Sequence, residues 1–468
     1  MDNIQKSNQR ILFLNPPGKK LYMRDYYCSK ASKANYLPQP IDLLMQTGFF
    51  AEKGYTLKVI DAIIEKLSVS DCIKQVTAFS PHLIITQCGA VSFEEDNAFM
   101  EALKNELPQT PILSSGDLFL DNPAYFLEKH KWLSGIITDF FSDASLHFFE
   151  NNGAASDGLV TRSTASNYIP AKRKTQKVKL PRPRHELFKN ELYIVPFANC
   201  GPMATVLTNF ACPYPCTFCI MSTLPFKTRS LEEVKEELLF LKKSGIRYIY
   251  FSDQTFYVNT EMTEALLDFI IAEKLNFSIM CYSRVDVMNE AKMRKLKKAG
   301  CNILMFGVEW ADDAYSKKYK KNYNTEQVKA AFKTAQQVGI KTMGTFLIGV
   351  PGQNAQSILN TVQFAIDLKA DYAAFNVAAP RSNTSFRKEA LESGLITTDD
   401  ILMDQSGSFV AMGTGLLSSA EVMSLKKKAY LKFYFRPSYL FKRAIGITTF
   451  YEFKNHIKDG WYVLLNQV

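Results

Sequence analysis

The 468-residue sequence predicts two α/β modules in series: a doubly wound parallel sheet, then a partial (β/α)6 barrel, with a helical C-terminal extension. Two observations predict this. Short apolar runs alternate with helical apolar spacing over residues 10–116 and again over 204–377, a pattern that gives parallel strands covered by helices. Between them the chain changes character. Asn151–Asn167 is rich in Gly, Ser, Ala and Asn, and basic residues crowd 172–184 around Pro181 and Pro183, which is the composition of a linker. The predicted boundaries are therefore 1–150, 151–200, 201–395 and 396–468.

In the first module, Arg10–Asn15 reads as a buried strand ended by Pro16-Pro17-Gly18. A helix is predicted over 39–53, an alternating strand over 55–60 that ends at Asp61, and a helix over 66–79. His82–Gln87 is the next buried strand, followed by Cys88-Gly89-Ala90; 93–106 is helical, and 111–116 is a fourth strand with a glycine exit. Ligands of such sheets bind at the carboxyl ends of strands, which here are Asn15–Gly18, Asp61, Gln87–Ala90 and Ser114–Asp117. The loop Arg24-Asp25-Tyr26-Tyr27-Cys28 either lies in solvent or reaches over a ligand.

In the second module, Ala204–Thr208 delivers a cysteine-rich loop. Strands are predicted at 248–251, 277–280, 303–306, 342–348 and 373–377, and helices at 230–244, 261–274, 288–299, 325–338 and 354–368. A barrel built this way places its site at the carboxyl ends of its strands.

The composition is that of a globular protein, 47% hydrophobic and 22% charged. The net charge of +10 suits nucleic acid, an acidic lipid surface or an anionic substrate and selects none of them. The N-terminus is polar, and there is no apolar run of spanning length. Nine cysteines without a regular framework predict a reduced, cytoplasmic protein.

The loop is Cys212-Pro-Tyr-Pro-Cys216-Thr-Phe-Cys219. Three thiolates in eight residues suit a metal or an iron–sulfur cluster. Zinc would want a fourth ligand at matching spacing; the next histidine is His456, and Cys281 and Cys301 are isolated. Three ligands without a fourth imply one open iron. Cys-x3-Cys-x2-Cys with Phe218 before the last cysteine resembles the signature of the radical S-adenosylmethionine (SAM) family. The resemblance implies a 4Fe-4S cluster on Cys212, Cys216 and Cys219. It also implies SAM on the open iron and reductive cleavage to a 5′-deoxyadenosyl radical, with Phe218 beside the cofactor.

Further segments resemble cobalamin-type members of that family. Phe251-Ser-Asp253-Gln-x-Phe256 is similar to their Asp-Asp-x-Phe, which implies Asp253 near the SAM ammonium; a strand-end cap is the alternative. Arg284 suits the SAM carboxylate, with a salt bridge to Asp286 as the alternative. Phe306-Gly-Val-Glu309 resembles Gly-x-Glu, with Glu309 at the SAM ribose or amine. Gly349, in Phe346-Leu-Ile-Gly-Val-Pro-Gly352, lets backbone approach the adenine. Ala211 stands where the family commonly has Gly, and Gln353 where it has an acid. The first module resembles the Rossmann-like cobalamin-binding domain, through Asn15-Pro-Pro, Pro40-Ile-Asp-Leu-Leu44, Asp61 and the small residues Gly89 and Gly116. The mutase-type Asp-x-His-x-x-Gly is absent, which implies cobalamin without a lower histidine.

The resemblance implies a cobalamin-dependent radical SAM enzyme that methylates an unactivated carbon of a small-molecule or lipid-like substrate. One SAM would methylate cob(I)alamin, another would yield the radical, and a flavodoxin-type donor would supply electrons. The alternatives are a cyclising, rearranging or oxidising member and, in another class, a cluster-bearing redox-sensing binding module. Nucleic-acid binding is not expected, since the basic run lacks interleaved aromatics. The basic, aromatic tail, Lys426–Arg443, is either a helical cap or a surface for peripheral membrane contact.

Overall fold

The computed structural model describes residues 6–25, 28–32, 36–397, 412–446, 451–455, 457–458 and 460. Tyr26, Tyr27 and His456 lie outside these, as does part of the predicted 396–468 extension. The chain forms two compact units: Met1–Ser32, Leu37–Ala171 and Val178–Tyr193 make the first, and Lys33–Tyr36, Lys172–Lys177 and Ile194–Val468 the second.

The first unit runs β1 (Arg10–Asn15), the hairpin β2 (Tyr22–Met23) and β3 (Lys30–Ala31), α1 (Ile41–Glu52), β4 (Thr56–Asp61), α2 (Val69–Phe79), β5 (Leu83–Gln87), α3 (Phe93–Glu106), β6 (Ile112–Ser115), α4 (Pro123–Lys129), β7 (Gly135–Ile137), α5 (Ala144–Glu150) and β8 (Leu159–Thr161). The sheet order is β4-β1-β5-β6-β7-β8. It is parallel except for the β7–β8 pair. β1 and β5 are buried almost throughout because helices cover both faces. The chain leaves β1 toward β4 and returns to β5 on the other side. The strand order therefore reverses at the carboxyl ends of Asn15 and Gln87, where open α/β sheets bind ligands.

The stretch 151–200, predicted as linker, is divided instead. Leu159–Thr161 completes the first sheet, and Val178–Tyr193 packs onto the first unit with Leu180, His185, Phe188 and Tyr193 buried. A Cβ at Gly48 of α1 would stand 2.6 Å from the Pro181 carbonyl, so this packing is close. The Pro- and Lys/Arg-rich composition hid the apolar residues that anchor the segment.

The second unit adds β9 (Thr175–Lys177), β10 (Met203–Val206), β11 (Asn209–Phe210) and β12 (Phe226–Thr228), then alternates α6 (Leu231–Lys243), β13 (Tyr248–Phe251), α7 (Thr260–Ala272), β14 (Ser278–Ser283), α8 (Glu290–Lys298), β15 (Cys301–Glu309), α9 (Asp313–Lys318), α10 (Thr325–Val338), β16 (Lys341–Ile348), α11 (Ala355–Asp367) and β17 (Tyr372–Val377). α12 (Ser385–Glu392), α13 (Ser419–Tyr434) and α14 (Pro437–Ile445) follow. β10-β13-β14-β15-β16-β17 form one sheet in sequential, all-parallel order, the predicted six-strand barrel. Local chemistry sets the helix starts: Ser230 with Glu233, and Asn324 with Gln327, form capping boxes. α13 buries Val422, Leu425, Ala429, Tyr430 and Phe433, and the last three join the barrel's own core.

Candidate cluster and cofactor site

β10 and β11 carry the cysteine loop out of the barrel. Ala211 holds φ at 64°, a left-handed conformation that favours glycine, which is why this position commonly carries Gly. The loop is closed by its own backbone: Cys212 N–H donates to the Met221 carbonyl (3.3 Å) and Cys219 N–H to that of Cys216 (3.2 Å). The Ser222 hydroxyl donates to the Cys216 and Cys219 carbonyls at 2.9 and 2.7 Å. Two outside strands of chain hold it: Thr217 N–H donates to the Tyr319 carbonyl, and the Thr217 carbonyl accepts from Phe386 N–H, both at 3.1 Å.

Cys212, Cys216 and Cys219 are all free thiols. Burial and the neighbouring sulfurs push the Cys219 thiol up to about 12, and burial also raises Cys212. Two sulfurs this costly to ionise alone fit a site whose cationic iron stabilises the thiolates. Among the described residues no three His, Cys, Asp or Glu side chains converge on a single ion. In an iron–sulfur cluster each thiolate takes its own iron, so the three sulfurs need not meet at one point.

The predicted partners stand at successive strand ends, in two kinds of environment. Glu309 closes β15 at a register shift, with a left-handed φ of 68°. Its Oε1 accepts from Lys321 Nζ at 2.8 Å. Gly307 makes room for both, since a Cβ there would meet each of those atoms at 2.8 Å. Burial works against the Lys321 ammonium, yet the Glu309 carboxylate holds it well above the usual lysine range. Lys321 Nζ also lies 5.8 Å from the Phe218 ring centre, and Phe218 packs edge-on to Trp310 at 5.4 Å. Trp310 Nε1 is buried with no hydrogen-bond partner among the described residues. A charged pair, an aromatic wall and an unmatched donor fit a polar, ring-bearing ligand such as SAM.

Asp253 and Arg284 both have protein partners close at hand. The Asp253 carboxylate, fully buried, accepts from Thr208 N–H (2.8 Å), Asn209 N–H (3.3 Å), Asn209 Nδ2 (2.9 Å) and the Thr208 hydroxyl. It brackets the turn that launches the cysteine loop, the strand-end alternative. Arg284 makes a two-pronged pair with Asp286 (2.9 and 2.8 Å), donates to the Lys321 carbonyl (2.7 Å), and directs Nη1 at Cys216 Sγ, 3.6 Å away. Gly349 has φ 81°, and a Cβ on it would meet Val422 of α13 at 2.9 Å. The backbone here therefore passes close to α13. Gln353, where an acid is usual, accepts from Gly349 N–H at 2.7 Å.

Sequence reasoning missed Lys321, Tyr323 and Trp310, which lie outside the cysteine motif and reach the loop through the tertiary fold, and Tyr214, which stands inside that motif between Cys212 and Cys216. The nearest signal was the aromatic and basic density of Tyr319–Tyr323.

In the first unit, Asn15 Nδ2 donates to Asp61 (2.9 Å), and Asp61 also accepts from the Tyr193 hydroxyl (2.9 Å). Burial lifts the Asp61 carboxyl to about 6. Gly116 has φ 155°, and a Cβ there would stand 2.0 Å from the Cys88 carbonyl, so only glycine fits. Gly89 lies under Ser29, whose Cβ would be 2.8 Å from an added one. Gln87 Oε1, at the strand-order reversal, is buried without a partner among the described residues. An orphaned acceptor there fits a ligand that bears amide N–H groups. His82 sits at the opposite, amino end of β5, where its Nδ1 accepts from Arg10 N–H at 3.0 Å.

The sequence profile of the Radical SAM superfamily matches residues 206–365. The chain is 28% identical over 403 residues to an uncharacterized methyltransferase of Pyrococcus horikoshii, spanning 83% of this chain and 86% of that protein. It is 22% identical to an anaerobic magnesium-protoporphyrin IX monomethyl ester cyclase of Synechocystis, over 86% of this chain and 81% of that one. Among solved structures it is similar to the radical SAM methyltransferase TsrM from Kitasatospora setae, solved with cobalamin and a 4Fe-4S cluster bound. That similarity has a TM-score of 0.64 at 17% identity and covers 84% of this chain and 80% of that one.

Proposed function

We propose that this chain is a cobalamin-dependent radical SAM enzyme that transfers a methyl group to an unactivated carbon of a small-molecule or lipid-like substrate. One observation carries the reading. Three free cysteines stand on a loop at the carboxyl ends of a six-strand parallel barrel, beside the Glu309–Lys321 pair. The separate doubly wound sheet, with its small and polar residues at the strand-order reversal, and the likeness to methyltransferases favour methyl transfer.

When bound, the cluster, SAM and cobalamin supply the electron transfer, the radical source and the methyl carrier; the chain's residues bind, orient and exclude water. Cys212, Cys216 and Cys219 hold the cluster. Lys321 and Glu309 offer opposite charges to the carboxylate and ammonium of SAM, and Phe218 and Trp310 wall the site. Asp253 fixes the root of the cysteine loop. Asn15, Gly89 and Gly116 border the cobalamin position, with Gln87 as an amide acceptor. Electrons come from a flavodoxin-type donor.

The test uses the full chain, reconstituted anaerobically with iron, sulfide and hydroxocobalamin. The expected result is a cluster absorbance that Cys216→Ala loses, cobalt retained through gel filtration, and 5′-deoxyadenosine from SAM after reduction with titanium(III) citrate. An intact, SAM-responsive cluster in Cys216→Ala sinks the ligand assignment. A protein that never retains cobalamin rules out methyl transfer through it. A second reading, cyclisation, is favoured by the similarity to the Synechocystis cyclase. It predicts that a labelled SAM methyl group never enters product.

A further inference from the structure

Arg284 is the best-restrained cation near the cysteine loop. Its side chain is 7% exposed and Asp286 grips it from two sides. One guanidinium face lies 3.9 Å from the Tyr214 ring centre, inside the cysteine loop, and the group is 5.1 Å from that of Tyr323. Nη2 is also committed to the Lys321 carbonyl at 2.7 Å. With Nε and Nη2 engaged and the rings flanking the group, Nη1 donates to Cys216 Sγ at 3.6 Å. Such a restrained fork does not reorganise when its neighbour changes charge.

We infer that Arg284 is a cluster-tuning residue: a fixed N–H donor and positive charge on the Cys216 sulfur that raises the reduction potential of the cluster held there. The inference rests on the cluster assignment of Cys212, Cys216 and Cys219. Reduction adds one electron from a low-potential one-electron donor; no bond is made and no proton moves. The added negative charge spreads over the sulfurs, and a donor aimed at one of them stabilises the reduced form more than the oxidised form. Asp286 opposes this, because its carboxylate offsets the guanidinium charge while holding its orientation. Loss of the cation and loss of its counter-ion should therefore move the potential in opposite directions. A residue that merely props the loop would not do this.

The experiment is a redox titration of the reconstituted full chain without SAM, poised with dithionite and mediators and read by the paramagnetic signal of the reduced cluster. The expected result is a lower midpoint in Arg284→Gln and a higher midpoint in Asp286→Asn, at unchanged iron and sulfide content. Midpoints that stay at the wild-type value, or that shift in the same direction, overturn the inference. If Arg284→Gln does not fold, Asp286→Asn decides alone: a midpoint unmoved or lowered is fatal. A wild-type chain that takes up no cluster refutes the cluster assignment itself, a separate outcome.

Discussion

The Asp253 carboxylate turns toward the backbone of its own barrel, where four donors from Thr208 and Asn209 converge on it. Burial outweighs those bonds and lifts its folded pKa from 3.8 to about 7. The folded state thus holds a proton more readily than the unfolded one between those values. Its stabilisation is complete below the unfolded pKa and is lost as pH rises toward about 7. Asn does not titrate. The urea midpoint of the native chain, relative to Asp253→Asn, should therefore fall as pH rises through this window. A flat or rising difference would mean that the bracket keeps the carboxylate ionised. Motif position led to Asp253 but not to these four donors, because the motif fixes which strand end carries the residue and not where its oxygens point.

The segment from Pro16 to Ser32 shows how one buried pair can organise an element. Arg24, fully buried at its side chain with Asp96, donates to Asn15 Oδ1 (3.0 Å) and to the Pro16 and Pro17 carbonyls (2.8 and 3.1 Å), and pairs with Asp96 at 2.6 Å. Asp96 also accepts from Gly89 N–H and the Ser92 hydroxyl. The pair thereby joins the ends of β1 and β5 to the start of α3. Asp117 accepts from Ser29 N–H and hydroxyl and from Ala90 N–H, fixing β3 to the same edge. Arg24→Met would strand the Asp96 carboxylate and should cost about 3–5 kcal/mol in denaturant unfolding. The Arg24→Met/Asp96→Leu pair should recover much of that; equal losses in both variants would show that packing and not the unpaired charge is at stake. From sequence this segment could equally be a solvated loop, since nothing in Arg24-Asp-Tyr-Tyr-Cys28 states that its arginine is interior.

At the scale of the chain, exposed apolar side chains gather at the C-terminal end: Leu431, Phe435, Leu440, Phe441 and Ile445 stand 41–69% exposed on α13 and α14. Lys427, Lys428, Lys432 and Lys442 lie among them, and no acidic residue occurs between Val422 and Gly446. No helix among the described residues is long and apolar enough to cross a membrane. If this face meets lipid, the chain co-sediments with phosphatidylglycerol vesicles, little with phosphatidylcholine, and Phe441→Ser/Ile445→Ser loses that binding. Equal sedimentation of that variant would remove the surface from consideration.

Strand positions and the cysteine loop were legible in the sequence because each depends on local pattern. Period and apolar runs announced β1, β4, β5 and β6 and all six barrel strands, and Cys212, Cys216 and Cys219 carry their chemistry in their spacing. The three-residue strands β7 and β8 escaped, being too short to show a period, and so did the packing of 178–193, whose apolar anchors are outnumbered by Pro, Lys and Arg. By itself, then, the sequence determined the two α/β units, the thiolate loop and the resemblance to the radical SAM family that the loop carries. Only the tertiary structure decided which charges meet that loop: Arg284 on Cys216, Lys321 on Glu309, Asp253 on the backbone. The physical reason is that a strand end delivers a side chain to a region, while its hydrogen-bond partners arrive from segments 12 to 68 residues away.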